Sequence, residues 1–316
     1  FFQCLSVDSV AESIEWGMNS ISGFCPQLCQ PADFMLASDG KAWDDKGMEY
    51  TQAIITGASS GFGAEFAAKL AGGCRRLVLV ARREAVLNSL ADKLRDAHPG
   101  LEIVVCACDL SVPEQRLELA NRLELLPEGG TLLVNNAGLG DYGEFATSTP
   151  ERNNSLLQVN ILAVVELTRA LLPRIRRQGG GIINIASLAA DIPIPDFALY
   201  AASKSFVASF TEALRLELKA EGIPVACICP GPVHTEFGDV ARRDGRSDGK
   251  SSFRKGFYTS IPTVVDSALK ALRKNRARTY PSLKVRMAGW LLRNIPLCLM
   301  RGIMGLRPRK TKQLPQ

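Results

Sequence analysis

Residues 53–71 read AIITGASSGFGAEFAAKLA. A continuous apolar run ends in a turn rich in small residues, Gly57, Ser59, Ser60, Gly61 and Gly63 with Phe62 among them, and helical spacing follows at once. Glycines at such a turn let the backbone bend tightly and approach a pyrophosphate, whose charge is met by amide groups at the helix N-terminus. Without a strand before it and a helix after it, the same octet is only a turn rich in small residues.

Outward from this stretch the pattern repeats. Apolar runs recur at 53 (AIIT), 77 (LVLVA), 103 (IVVCA), 132 (LLVN), 182 (IINIA) and 225 (VACIC), with helically spaced segments between most of them. Runs that are continuous rather than alternating indicate strands buried on both faces. The expectation is an α/β protein with a doubly wound Rossmann fold, a parallel sheet of about seven strands with helices on both faces and right-handed crossovers. Ligands in such sheets bind beyond the carboxyl ends of the strands, at the point where the strand order reverses.

The end of the second strand bears on the nucleotide. LVLVA runs into Arg82 and Arg83, where a carboxylate would hold the ribose hydroxyls of NAD. An arginine pairs with a 2′-phosphate and a carboxylate repels it, so NADP(H) is the expected cofactor. Asp109 follows the third strand, near the adenine. Asn136, Ala137 and Gly138 follow the fourth, beside the nicotinamide ribose. A tightened strand-to-loop turn is the plainer reading of that second segment.

Ser187 follows the fifth strand, and Tyr200-Ala201-Ala202-Ser203-Lys204 opens a long helix. Four-residue spacing puts Tyr200 and Lys204 on one helical face. A neighbouring ammonium stabilises a phenolate and brings the tyrosine towards useful acid–base chemistry. The Ser187 hydroxyl can hold a substrate carbonyl. Asn160, a polar residue in the apolar stretch LLQVNILAVVELTRALLP, can hold a water that links Lys204 to solvent, or be a satisfied buried amide.

As an ordered set, these residues resemble the short-chain dehydrogenase/reductase family over about residues 50 to 280. TGASSGFG matches its TGxxxGxG loop, NNAG its fourth-strand motif, Asn160, Ser187, Tyr200 and Lys204 its catalytic tetrad, and Pro230-Gly231 the motif after its sixth strand. The resemblance implies hydride transfer between NADP(H) and a carbonyl or secondary alcohol, with no metal. Tyr200 is then the proton donor, Tyr200 and Lys204 also bind cofactor, and Val233 and Thr235 contact its nicotinamide end. A nucleotide-binding regulatory or scaffold protein without turnover is the competing class.

Composition sets the frame. The 316 residues hold 46% hydrophobic and 22% charged residues, which excludes general disorder and allows a large core without disulfides. The net charge of +6 conceals an uneven distribution: residues 1 to 50 carry −6, residues 280 to 316 carry +8, and the middle +4. Nine cysteines, several within apolar runs, point to a reducing, cytoplasmic compartment. Cys25 and Cys29 lack histidine or cysteine partners for zinc, His98 and His234 being the only histidines.

Three segments are expected: an acidic, poorly ordered extension over 1–47, the catalytic domain over 48–280, and a basic amphipathic extension over 281–316. The segment from Phe237 to Pro262, rich in Gly, Ser and charge, reads as a lid over the substrate. In the tail, MAGWLLRNIPLCLMRGIMGL places Leu292, Ile295, Leu299, Ile303 and Leu306 at helical spacing, with Arg286, Arg293 and Arg301 on another side. Two arginines in mid-span oppose a transmembrane helix. The segment packs on the pocket or on a partner subunit in a homo-oligomer, with peripheral membrane contact through residues 284–306 as the alternative. A lipophilic carbonyl or alcohol, of 3-oxoacyl, steroid-like or aromatic-ketone type, is the expected small-molecule substrate. Nucleic acid is not an expected partner, because the positive tail lacks interleaved aromatics.

Overall fold

A computed structural model describes residues 50–233, 235–243 and 258–305. The acidic leader, His234 and most of the expected lid lie outside the described residues.

Seven strands form one parallel sheet: β1 (Gln52–Thr56), β2 (Arg76–Ala81), β3 (Glu102–Ala107), β4 (Thr131–Asn135), β5 (Gly180–Ile185), β6 (Val225–Ile228) and β7 (Arg278–Thr279). Their order is β3-β2-β1-β4-β5-β6-β7, so the direction of winding reverses between β1 and β4. Every residue of β1, β2, β4 and β6 is buried, as continuous apolar runs require. Six of the strands coincide with the six runs. The seventh is two polar-flanked residues fixed by the Cys229 amide donating to the Thr279 carbonyl, and no apolar run announces it.

Side chains alternate between two layers. Ala53, Ile55, Leu77 and Leu79 point to the side covered by α1 (Gly61–Ala71), α2 (Glu84–Ala97) and, further along, α8 (Ile261–Arg273). Ile54, Val78 and Val80 point to the side covered by α3 (Pro113–Glu124), α5 (Ala163–Gln178) and α6 (Ala198–Glu217). The remaining helices are α4 (Pro150–Leu157), α7 (Glu236–Ala241), α9 (Leu283–Asn294) and α10 (Leu297–Gly305).

Two features align the functional end. A buried polar ladder crosses β4, β5 and α6: Asn135 donates to Asn184 Oδ1 at 2.8 Å, and Asn184 donates to Thr211 Oγ1 at 2.9 Å. Between α4 and α5 the chain makes a π turn over Gln158–Leu162, which places the Asn160 side chain in the interior. Buried Arg116 grips this region by donating to Gln158 Oε1 and to Glu166.

The tail is helical in two pieces: the chain breaks into α9 and α10 around Ile295-Pro296, because the residue before proline is driven out of the helical region.

Candidate active site

The carboxyl ends of β1 and β4, where the winding reverses, are joined by Thr56. Its hydroxyl oxygen accepts from the amides of Asn136 at 2.9 Å and Ala137 at 3.0 Å. Asn136 returns the tie by donating to the carbonyls of Thr56 and Gly57. Its amide therefore holds the glycine turn in shape.

The turn itself admits only small residues. Gly57 has φ +65, and a Cβ there would lie 2.9 Å from the Ala137 Cα, while a Cβ on Gly63 would collide with the Gly57 carbonyl. Gly61 has φ +56, and Thr235 sits against it, with its Cγ2 3.6 Å from the position a Cβ would take. Ser60 begins α1 without a side-chain cap, and no acid occupies the first turn. The orphan amides of that turn carry the positive end of the helix dipole towards the cradle. A pyrophosphate fits such a site on charge and on space.

At the mouth, Arg83 donates to Ser59 Oγ at 3.1 Å and to Glu236 at 3.1 Å, bringing the start of α7 across the glycine turn. Arg82 is exposed at the same strand end. Asp109 accepts from the amide and hydroxyl of Ser111, which caps its own turn. Past β6, the Leu188 amide donates to the Pro230 carbonyl, and Gly231 is backed by Val285 of α9, whose Cγ2 leaves no room for a Cβ. Val233 is half-buried against the core under α8.

Tyr200 and Lys204 lie one turn apart on α6, both buried. The Lys204 ammonium donates to the Ile185 carbonyl at 2.9 Å and stands 5.8 Å from the centre of the Tyr200 ring. Burial pushes the Tyr200 phenol up to about 12, against the contrary pull of a hydrogen bond from Ser187. Burial also pulls the Lys204 ammonium down to about 8. Ser187 Oγ accepts from the Ala189 amide at 3.1 Å, which leaves the hydroxyl proton for another oxygen. Asn160 pins the loop after β4: its Oδ1 accepts from the Leu139 amide at 2.7 Å, and its amide donates to the Leu139 carbonyl and to Ser203 Oγ. A Cβ on Gly138 would lie 3.3 Å from Lys204 Nζ and 3.5 Å from Asn160 Oδ1, so glycine keeps that space open.

On its outer side Tyr200 is walled by aromatic rings. Phe197 stacks on it with centroids 4.2 Å apart, and Phe237 of α7 lies at 5.5 Å. Beneath the same wall, buried Asp141 accepts from Arg152, Arg243 and Ser148, tying the loop after β4 to the segment after α7.

The model of the family described as short chain dehydrogenase matches residues 51–245. The chain belongs to the short-chain dehydrogenase family. A very-long-chain 3-oxoacyl-CoA reductase of Mus musculus is 29% identical over 262 residues, 81% of this chain and 75% of that protein. A short-chain dehydrogenase from Sphingobium yanoikuyae, solved in complex with NADPH, is 31% identical with a TM-score of 0.67, covering 83% of this chain and 98% of the other. One from Burkholderia phymatum, solved in complex with NAD, is 26% identical with a TM-score of 0.66, covering 86% and 100%.

Several residues of this short-chain dehydrogenase site escape a reading of the sequence. Thr56 and Ser203 stand inside the quoted motifs, yet only the fold reveals that one welds two strand ends and the other donates to the Tyr200 carbonyl while holding Asn160. Glu236 and Asp141 act over separations of 153 and 102 residues, on Arg83 and Arg243 respectively, and nothing local marks them.

Proposed function

We propose that this oxidoreductase uses NADP(H) to interconvert a lipophilic carbonyl compound and its secondary alcohol. The observation that carries the reading is the buried Tyr200–Lys204 pair opening onto a wall of Phe197 and Phe237. Such a wall favours an apolar substrate body, with the polar work confined to Tyr200 and Ser187. A 3-oxoacyl thioester, the class named for the mouse relative, fits this description, as do steroid-like and aromatic ketones.

When bound, NADPH supplies the hydride. The residues then divide the remaining work. The glycine turn and the first amides of α1 hold the pyrophosphate, and Arg83 with Arg82 favours the 2′-phosphate. Ser187 donates to the substrate oxygen, and Tyr200 passes its phenolic proton to the alkoxide as it forms. The Lys204 cation stabilises the phenolate left behind, while its bond to Ile185 keeps the ammonium in place. A water in the space kept open by Gly138, between Lys204 and Asn160, returns the proton.

NADPH consumption measured against medium-chain 3-oxoacyl thioesters, steroids and aromatic ketones tests the reading. Turnover of at least one class is expected, with Tyr200→Phe lowering it by about 10²- to 10⁴-fold. Turnover unaffected by that replacement would refute the mechanism, and NADPH binding with no turnover on any class would favour the regulatory reading.

A further inference from the structure

The C-terminal helices expose a face that catalysis does not use. On α9, Leu283, Met287, Trp290 and Leu291 recur at i, i+4, i+7 and i+8 and are between 53% and 64% exposed. Leu299 of α10 adds another exposed leucine, at 55%. The opposite side of α9 is committed to the body of the protein: Val285 is buried behind Gly231, Gly289 lies against the Tyr280 ring, and Ala288 and Leu292 pack beside Ala186 and Leu188. The exposed stripe is thus surplus to folding. Four large apolar side chains gathered on neighbouring turns of α9 are also more than the scattered exposure usual on a soluble surface.

Charge identifies what covers the stripe. At about 100° per residue, Arg286 and Arg293 fall along one edge of it and Lys284 along the other. Arg286, Arg293 and Arg301 are exposed, and residues 280 to 305 contain no carboxylate. A central apolar band holding a tryptophan, with cations on both borders, matches a helix lying in a bilayer interface: the band enters the acyl boundary and the long basic side chains reach back to the headgroups. A second copy of the chain fits less well. An isologous contact sets the same patch against itself, and these helices would then bring arginines together with no acid of their own between them. The long helical run Pro150–Gln178 is apolar enough to suggest a membrane span, but Leu156, Leu167, Leu171 and Ile175 are core residues of the enzyme.

We infer that the Leu283–Met287–Trp290–Leu291 face of α9 docks this enzyme on an anionic lipid bilayer. The inference is independent of the substrate. Its consequence for catalysis is positional, because the inner side of α9 packs beside the turn that starts at Ser187. Docking therefore brings the substrate end of the site close to the source of a lipophilic substrate.

Co-sedimentation of the full chain with vesicles of phosphatidylcholine alone, and of phosphatidylcholine mixed with phosphatidylserine, is the test; no substrate or turnover is needed. The full chain is expected to sediment with the anionic vesicles and to be released by salt. Arg286→Gln combined with Arg293→Gln is expected to weaken that partitioning roughly thirty-fold, at about five-fold per cation. Trp290→Ser with Leu291→Ser should remove it, while NADPH binding and thermal stability, which report the fold, stay unchanged. Failure of the full chain to sediment, equal partitioning on neutral and anionic vesicles, or variants that bind as the parent does would each overturn the inference. So would a Trp290→Ser/Leu291→Ser protein that changes its oligomeric state in vesicle-free buffer, since the face would then belong to a second copy.

Discussion

The Lys204 ammonium stands 5.8 Å from the centre of the Tyr200 ring, and both groups are buried with their ionisations pushed in opposite directions. Burial raises the phenol to about 12 and lowers the ammonium to about 8. The tyrosine is therefore a protonated acid throughout the neutral range, and the lysine is the group that titrates near it.

The pH profile of carbonyl reduction follows. Below about 8 the acid and its supporting cation are both present, and kcat/KM should be flat. Above about 8 the cation is lost and kcat/KM should fall, whereas a profile flat to pH 10 would show that Lys204 charge is not needed. Tyr200→Phe should cost about 10²- to 10⁴-fold in kcat at every pH, the usual span for removing a general acid.

Lys204 also weakens the fold that holds it. Its folded pKa lies below the 10.5 of an ordinary lysine. The unfolded chain thus binds the proton more tightly, and the cost of burying the charge is fully present at pH 7. As pH climbs from about 8 towards 10.5 the folded protein sheds that proton and the cost is relieved. The parent should therefore gain stability relative to Lys204→Met across this window, by up to about 3 kcal/mol. Denaturant melts of both proteins at pH 7 and pH 10 measure it, and a constant difference between them would contradict the assignment.

How far these groups are legible depends on the range of the interaction. Continuous apolar runs announce six strands because both faces of a parallel sheet must be buried, and a four-residue spacing announces Tyr200 beside Lys204 because a helix turn is local. β7 is silent, since two residues completing a sheet edge need no apolar run. The roles of Asn136 and Asn160 are only half legible. Their positions follow from motif order, but their amides turn out to grip the backbone of Thr56, Gly57 and Leu139, partners set by the sheet order.

Arg83 offers a test of cofactor choice. Its guanidinium is shared between Ser59 and Glu236, and a 2′-phosphate competes with the Glu236 carboxylate for it. Arg83→Ala should raise KM for NADPH roughly ten-fold with little effect on NADH, the loss of one charged hydrogen-bonding contact at an exposed site. Glu236→Gln should act the other way and lower KM for NADPH. Steady-state kinetics with both cofactors decide the matter, and equal changes for NADPH and NADH in Arg83→Ala would remove Arg83 from phosphate recognition.

Asp141 fixes the wall beside Tyr200. Burial works to raise its carboxyl, but hydrogen bonds from Arg243 and Ser148 and the charges of Arg243 and Arg152 prevail and hold it down to about 2. Its stabilising contribution is therefore present above the ordinary 3.8 of an aspartate and is lost as pH falls towards 2. Arg152 also donates to the Val240 and Ala241 carbonyls, and the Tyr142 amide to Ala241, so the carboxylate anchors the C-terminal end of α7, the short helix whose first turn carries Phe237. Asp141→Asn should cost about 2 kcal/mol, less than a fully buried pair because both arginines are partly exposed. Losing that grip should loosen the aromatic wall, raising KM for a lipophilic substrate several-fold while leaving KM for NADPH near its parent value. Parallel increases in both constants would place Asp141 in general stability rather than in shaping the substrate end of the site.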